Sequence, residues 1–148
     1  MTHDEILYGK LKLWQPDEGP RVSMDTVLLA AYVRVRPRVD SSFVELGTAT
    51  GAVALMLGLR FPRKFRILGL EIQPELETLA RRNCAENGLG DRVSFRCMDL
   101  RDYRSLPAGS FDGLVVNPHT RSRGEAAQVR KRPLPSPIRG PVAPWRTW

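Results

Sequence analysis

The chain has 148 residues, 42% of them hydrophobic, with 23 Lys and Arg against 16 Asp and Glu for a formal charge of +7. This length suits a single domain that hides roughly 70% of the surface its unfolded chain would expose. The two cysteines, Cys84 and Cys97, stand outside any C-x-x-C spacing, which excludes a disulfide framework and a cysteine-based metal or redox motif.

The charge is unevenly placed. Residues 121–148 hold seven basic residues and one acid, so residues 1–120 are close to neutral and the basic pI belongs to the tail. A near-neutral body does not announce a nucleic-acid surface, and the local cluster of Arg60, Arg63, Lys64 and Arg66 suits a solvated face better than an RNA site. The opening MTHDEILYGK has no long apolar stretch, and the most apolar window, Gly51 to Leu59, is nine residues long. A bilayer span needs ~20, so a cytoplasmic protein without a membrane segment is expected.

Along the chain, Leu11–Trp14 alternates apolar and basic residues and predicts a short strand, broken by the Pro- and Gly-containing run from Gln15 to Arg21. Ser23 and Asp25 offer capping oxygens ahead of an apolar face at Val27, Leu28, Ala30, Ala31 and Val33, which predicts a helix over residues 24–35, stopped by Pro37. Ser42–Leu46, Gly47 and Ala52–Arg60 then read as strand, tight turn and helix. Phe65–Leu70 predicts the next strand. Pro74 fits a first helical position followed by Glu75 and Glu77, with the helix running to Asn87 and closed by a left-handed Gly88. Val93–Met98 and Phe111–Val116 complete four strands.

Strands alternating with helices imply right-handed crossovers, so the expected class is α/β: a Rossmann-like, incomplete parallel sheet of about four core strands with helices packed on its faces. Residues 1–120 form the expected domain. Residues 121–148, with five prolines and scattered apolar positions, predict a disordered basic tail.

The informative cluster is Glu45-Leu46-Gly47-Thr48-Ala49-Thr50-Gly51, where a strand passes into a helix at the carboxyl edge of the sheet. Gly47 lets the backbone turn and approach a ligand, and Gly51 permits close packing at the helix start. A plain β–α turn would also account for the two glycines. The run G-T-A-T-G lacks the second glycine that admits a pyrophosphate, which disfavours a nicotinamide dinucleotide. Glu45 is placed to receive an ammonium group, Glu71 at the end of the second core strand to accept the two hydroxyls of a ribose, and Asp99 ends the third. Three successive strands thus carry a carboxylate at one edge.

With Asn117-Pro118 closing the fourth strand, the chain resembles the Rossmann-like S-adenosylmethionine-dependent methyltransferases, which share E/D-x-G-x-G-x-G, an acid after each of the next two strands, and N-P-P-Y/F in the branch that modifies amino groups. The stretch Gln15-Pro16-x-x-Gly19-x-Arg21-x-Ser23-x-Asp25-x-x-Leu28-Leu29-Ala30-Ala31 resembles the tRNA(Val) adenine-N6-methyltransferase family. The resemblance covers about residues 6–118. It implies Glu45 and Gly47 beside the methionine end of S-adenosyl-L-methionine, Glu71 on its ribose and Asp99 on its adenine amino group, with Thr48 and Gly51 also in the cofactor site. It implies Asn117 and Pro118 as acceptors for the target amino group, catalysis by alignment and desolvation, tRNA as partner, and no metal.

Ala49 stands where the family has its middle glycine, and His119-Thr120 where it has a second proline and the aromatic that stacks on the flipped-out base. The class continues through three more strands that residues 121–148 do not offer, so a truncated or frame-shifted reading of a longer gene is expected. Two functions follow: an N6-adenine tRNA methyltransferase, or an inactive fragment with weak cofactor or RNA binding.

Overall fold

The computed structural model describes residues 1–34, 40–61 and 64–118. Arg63, His119, Thr120, the final residue of the helix expected over 24–35, and the expected tail at 121–148 lie outside them.

The chain opens with an antiparallel hairpin, β1 (Thr2–Ile6) and β2 (Leu11–Gln15). Sequence periodicity missed β1 because its inward positions are Thr2, Asp4 and Ile6 in register with β2, so polar side chains interrupt the apolar alternation. The hairpin has no large sheet of its own to join. Asn83 and Asn87, one turn apart on a later helix, pair with the open edge of β2 through their amides: Trp14 N–H donates to Asn83 Oδ1 at 2.8 Å and Lys12 N–H to Asn87 Oδ1 at 3.0 Å. Their Nδ2 groups donate back to the Trp14 and Lys12 carbonyls at 3.1 and 2.7 Å.

Helix α1 (Met24–Tyr32) starts at Ser23 in a capping box with Thr26. It ends at Tyr32, short of the expected residue 35, and Val33 leaves the helical region with φ −55° and ψ 132°. A tertiary contact supplies the reason: Arg60 Nη1 donates to the carbonyls of Ala30 and Val33 at 2.7 and 2.9 Å, satisfying the terminal acceptors from outside.

The central sheet is parallel and four-stranded, as expected, from β3 (Ser41–Leu46), β4 (Phe65–Glu71), β5 (Val93–Cys97) and β6 (Gly113–Val116), in the order β5-β4-β3-β6. Helix α2 (Ala52–Arg60) follows β3 and α3 (Pro74–Glu86) follows β4. From β3 to β5 the strands step in one direction, so right-handed crossovers put α2 and α3 on the same face. That face carries Phe65, Ile67, Val93, Phe95 and Val115, all in the core with α2, whose residues Ala52 to Gly58 are buried throughout.

The expected parallel sheet with flanking helices is what the chain forms, with α2 and α3 side by side on one face. The return from β5 to β6 crosses the opposite face, where the described chain provides only the 3-10 turn Leu100–Ser105. On that face Val44 pairs in register with Leu68 and Leu114, while Leu114 is 59% and Val116 45% exposed. No helix among the described residues is long and apolar enough to cross a membrane.

Candidate active site

Strand register decides which side chains meet. Leu46 pairs with Leu70 on one side and with Val116 on the other. The residues that follow these three, Gly47, Glu71 and Asn117, therefore emerge at one level of the carboxyl edge. They line one cleft of about 310 Å³ together with Pro118, Ala49, Leu76 and Leu100.

The turn from β3 into α2 is wound tightly. The N–H groups of Gly47 and Thr48 both donate to the Leu70 carbonyl, at 2.9 and 3.0 Å, and Gly51 N–H donates to the Thr48 carbonyl at 2.9 Å. Gly47, Ala49 and Gly51 have φ of +67°, +50° and +83°. Gly51 is packed from behind, since a Cβ there would lie 2.7 Å from the Phe95 ring. At Gly47 a Cβ would meet nothing within 4 Å, so its open side belongs to the cleft. Ala49 bears a left-handed conformation that costs an L-residue roughly 1–2 kcal/mol. Glu71 offsets that strain by accepting Ala49 N–H at 2.9 Å on Oε2. Its Oε1 accepts the N–H groups of Ile72 and Gln73 at 2.9 and 3.0 Å, and the side chain is 5% exposed.

Glu45 lies deeper. It is 2% exposed, and its Oε2 accepts the Thr48 hydroxyl at 2.7 Å and Ala54 N–H at 3.1 Å. Burial pushes its pKa up to about 7, against the pull of those two hydrogen bonds, with a further rise from the charge of Glu71. A cavity of about 20 Å³, walled by Glu45, Thr48, Thr26 and Asn117 among others, adjoins the cleft. It has room for about one water.

Asp99 follows β5, two residues beyond Cys97, the register partner of Glu71. It caps the 3-10 turn by accepting Arg101 N–H at 2.9 Å and is paired with the Arg101 guanidinium, which holds its carboxyl at about 2. Its neighbour Leu100 lines the cleft, whereas Asp99 does not. Gly47, Glu71, Asn117 and Pro118 thus share the cleft, and Glu45 and Thr48 share the small cavity beside it.

Several residues of this region escaped sequence reasoning. Asn83 is 0% exposed, and besides its bonds to Trp14 its Nδ2 donates to the Thr50 carbonyl at 3.0 Å, tying the loop to the N-terminal hairpin. The signal was present as a lone amide on the buried side of α3. Gln15 holds the other wall: its Oε1 accepts Val22 N–H at 2.7 Å and its Nε2 donates to Asp4 at 2.6 Å, where Arg21 also binds at 2.9 Å. The Gln15 and Arg21 of the N-terminal motif therefore shape the segment Pro20–Val22 that borders the cavity.

A family profile described as a methyltransferase domain matches residues 43–131, spanning nearly all of the central sheet and continuing past Pro118, where the motif resemblance stops. The chain belongs to the methyltransferase-domain family. This methyltransferase domain is 38% identical over 123 residues to a tRNA1(Val) (adenine(37)-N6)-methyltransferase of Porphyromonas gingivalis, covering 80% of this chain and 48% of that protein. It is 33% identical over 114 residues to the protein of the same name from Actinobacillus pleuropneumoniae, covering 77% and 47%. The chain spans about half the length of the curated relatives it matches. Two solved structures share its fold: an O-methyltransferase from Bacillus cereus in complex with SAH (TM-score 0.52, 22% identity, 66% of this chain and 46% of that one), and a SAM-dependent methyltransferase from Thiobacillus denitrificans in complex with S-adenosyl-L-homocysteine (TM-score 0.53, 16% identity, 66% and 37%).

Proposed function

We propose that this methyltransferase domain binds S-adenosyl-L-methionine in the carboxyl-edge cleft and methylates the N6 nitrogen of an adenine in tRNA. The observation that carries the reading is that Glu71 and Asn117-Pro118, contributed by different strands, line the same cleft across Gly47. The residues present fit the cofactor. The open space over Gly47 admits a ligand against the backbone, the Glu71 carboxylate supplies acceptors for a diol, and Leu76 and Leu100 supply apolar surface for a planar base. The name carried by the relatives points to tRNA and to the position of transfer.

Bound there, the cofactor supplies a methyl group made electrophilic by a sulfonium sulfur. The Asn117 side-chain oxygen and the Pro118 carbonyl accept the two hydrogens of the target amine, which aims the nitrogen lone pair at that methyl group. Transfer there would form an N–C bond as the S–C bond breaks, leaving a neutral thioether, and the amine would then lose its extra proton to water. No strong base is required at the start, and alignment with exclusion of water supplies most of the acceleration. Glu45, Thr48 and Gly51 hold the loop, and Asp99 with Leu100 borders the adenine end.

Calorimetry with S-adenosyl-L-methionine on the whole chain, followed by methyl transfer to unmodified tRNA1(Val), tests the reading. Binding with transfer to N6 of adenine is the expected result, and absence of binding overturns it. A second reading, cofactor binding without turnover, draws support from Ala49 at φ +50° in the loop and from His119-Thr120 after Asn117-Pro118. Binding with no transfer would select it.

A further inference from the structure

The geometry points to Thr26 as a positioning residue that fixes the side-chain amide of Asn117, an inference that rests on the function proposed above. Thr26 lies in the first turn of α1 and Asn117 follows β6, yet Asn117 Nδ2 comes within 3.5 Å of Thr26 Oγ1. Both residues wall the small cavity beside Glu45, and Thr26 is buried.

The capping box determines what the Thr26 hydroxyl has left to offer. Ser23 N–H donates to Thr26 Oγ1 at 3.2 Å, and the two hydroxyl oxygens lie 3.2 Å apart. A hydroxyl has two lone pairs and one proton. Ser23 N–H takes one lone pair and Asn117 Nδ2 approaches the other, which leaves the hydroxyl proton for Ser23 Oγ. The amide nitrogen is thereby drawn to Thr26, and Asn117 Oδ1 is left to face the cleft. That orientation is the one the chemistry requires, because a target amine needs an acceptor and an inverted amide would present a second donor. The same bookkeeping gives Ser23 a role: it caps α1 and orients the hydroxyl that orients Asn117.

The test compares Thr26→Val, which keeps the shape and deletes the hydroxyl, with Thr26→Ser, which restores it. Thermal melts establish that both fold. In the ¹⁵N-labelled whole chain without ligand, the Asn117 side-chain amide resonance is assigned by its loss in Asn117→Ala. Its hydrogen exchange should accelerate about tenfold in Thr26→Val and stay near wild type in Thr26→Ser. In single-turnover methyl transfer, Thr26→Val should lose about tenfold in rate with cofactor Kd within threefold of wild type, and Thr26→Ser should recover the rate. Exchange at Asn117 indifferent to Thr26→Val overturns the inference, as does a Val variant whose rate is unchanged or a Ser variant that fails to rescue. If the wild-type chain transfers no methyl group, the functional reading falls, and the exchange measurement still decides whether Thr26 orients Asn117.

Discussion

Glu71 Oε2 accepts the backbone N–H of Ala49 at 2.9 Å, so the acid that ends β4 restrains the one non-glycine residue held at positive φ in the loop after β3. With Ile72 and Gln73 on its other oxygen, Glu71 organises three backbone donors at the rim of the cleft. In the function proposed above, cofactor binding and loop conformation would therefore depend on the same carboxylate.

Glu71→Ala should weaken cofactor affinity at least tenfold and lower stability by about 1–3 kcal/mol, because it strips three part-buried backbone N–H groups of their acceptor. Calorimetry and denaturant melts measure the two effects. Unchanged affinity would remove Glu71 from the binding site.

At position 49 the opposite sign is expected. Ala49→Gly relieves a left-handed alanine, and the relief of roughly 1–2 kcal/mol is partly offset by the greater freedom of glycine in the unfolded chain. A gain of up to about 1 kcal/mol is the expected net, read as a rise in the denaturation midpoint, and cofactor affinity should not fall. A lower midpoint would mean that the loop does not strain Ala49.

The two glycines that flank the loop should respond differently to the same change. Gly51→Ala puts a methyl group 2.7 Å from Phe95 at φ +83° and should cost more than about 2 kcal/mol of stability. Gly47→Ala meets no neighbour, so it should cost only the roughly 1–2 kcal/mol of its backbone conformation while blocking the cleft. Urea melts beside cofactor titrations separate them: stability fails first in one, affinity in the other.

Glu45 makes stability depend on pH. Its folded-state pKa of about 7 lies above the ordinary 4.5, so between these values the folded chain binds more protons than the unfolded one, and stability falls as pH rises through the window. The full difference is about 3 kcal/mol. Glu45→Gln, which mimics the neutral acid, should lose this slope, so the stability difference between variant and wild type should widen from pH 4.5 to 7. Parallel pH profiles for the two proteins would refute the assignment.

Asn117→Ala should reduce the rate of methyl transfer at least tenfold while leaving cofactor Kd within about threefold, since its proposed contact is with the target amine. Single-turnover kinetics with a separate binding titration distinguish this from a general loss of the cleft.

The sequence by itself determined the parallel sheet and its two long crossover helices, because period-two and period-3.6 hydrophobic patterns, Pro74 and Gly88 act within a few residues of where they stand. It also placed Gly47, Glu71 and Asn117 at strand ends, and the register of β3, β4 and β6 brings those ends level. Only tertiary structure decided the rest. Polar β1 became a strand by pairing with β2, and α1 stopped at Tyr32, where Arg60 binds its terminal carbonyls. Asn83 and Thr26 acquired their partners through contacts 33 and 91 residues away in the chain. Local patterns record which face of an element is apolar, whereas the partner of a buried amide or hydroxyl is fixed only when packing has excluded water and left one donor or acceptor within reach.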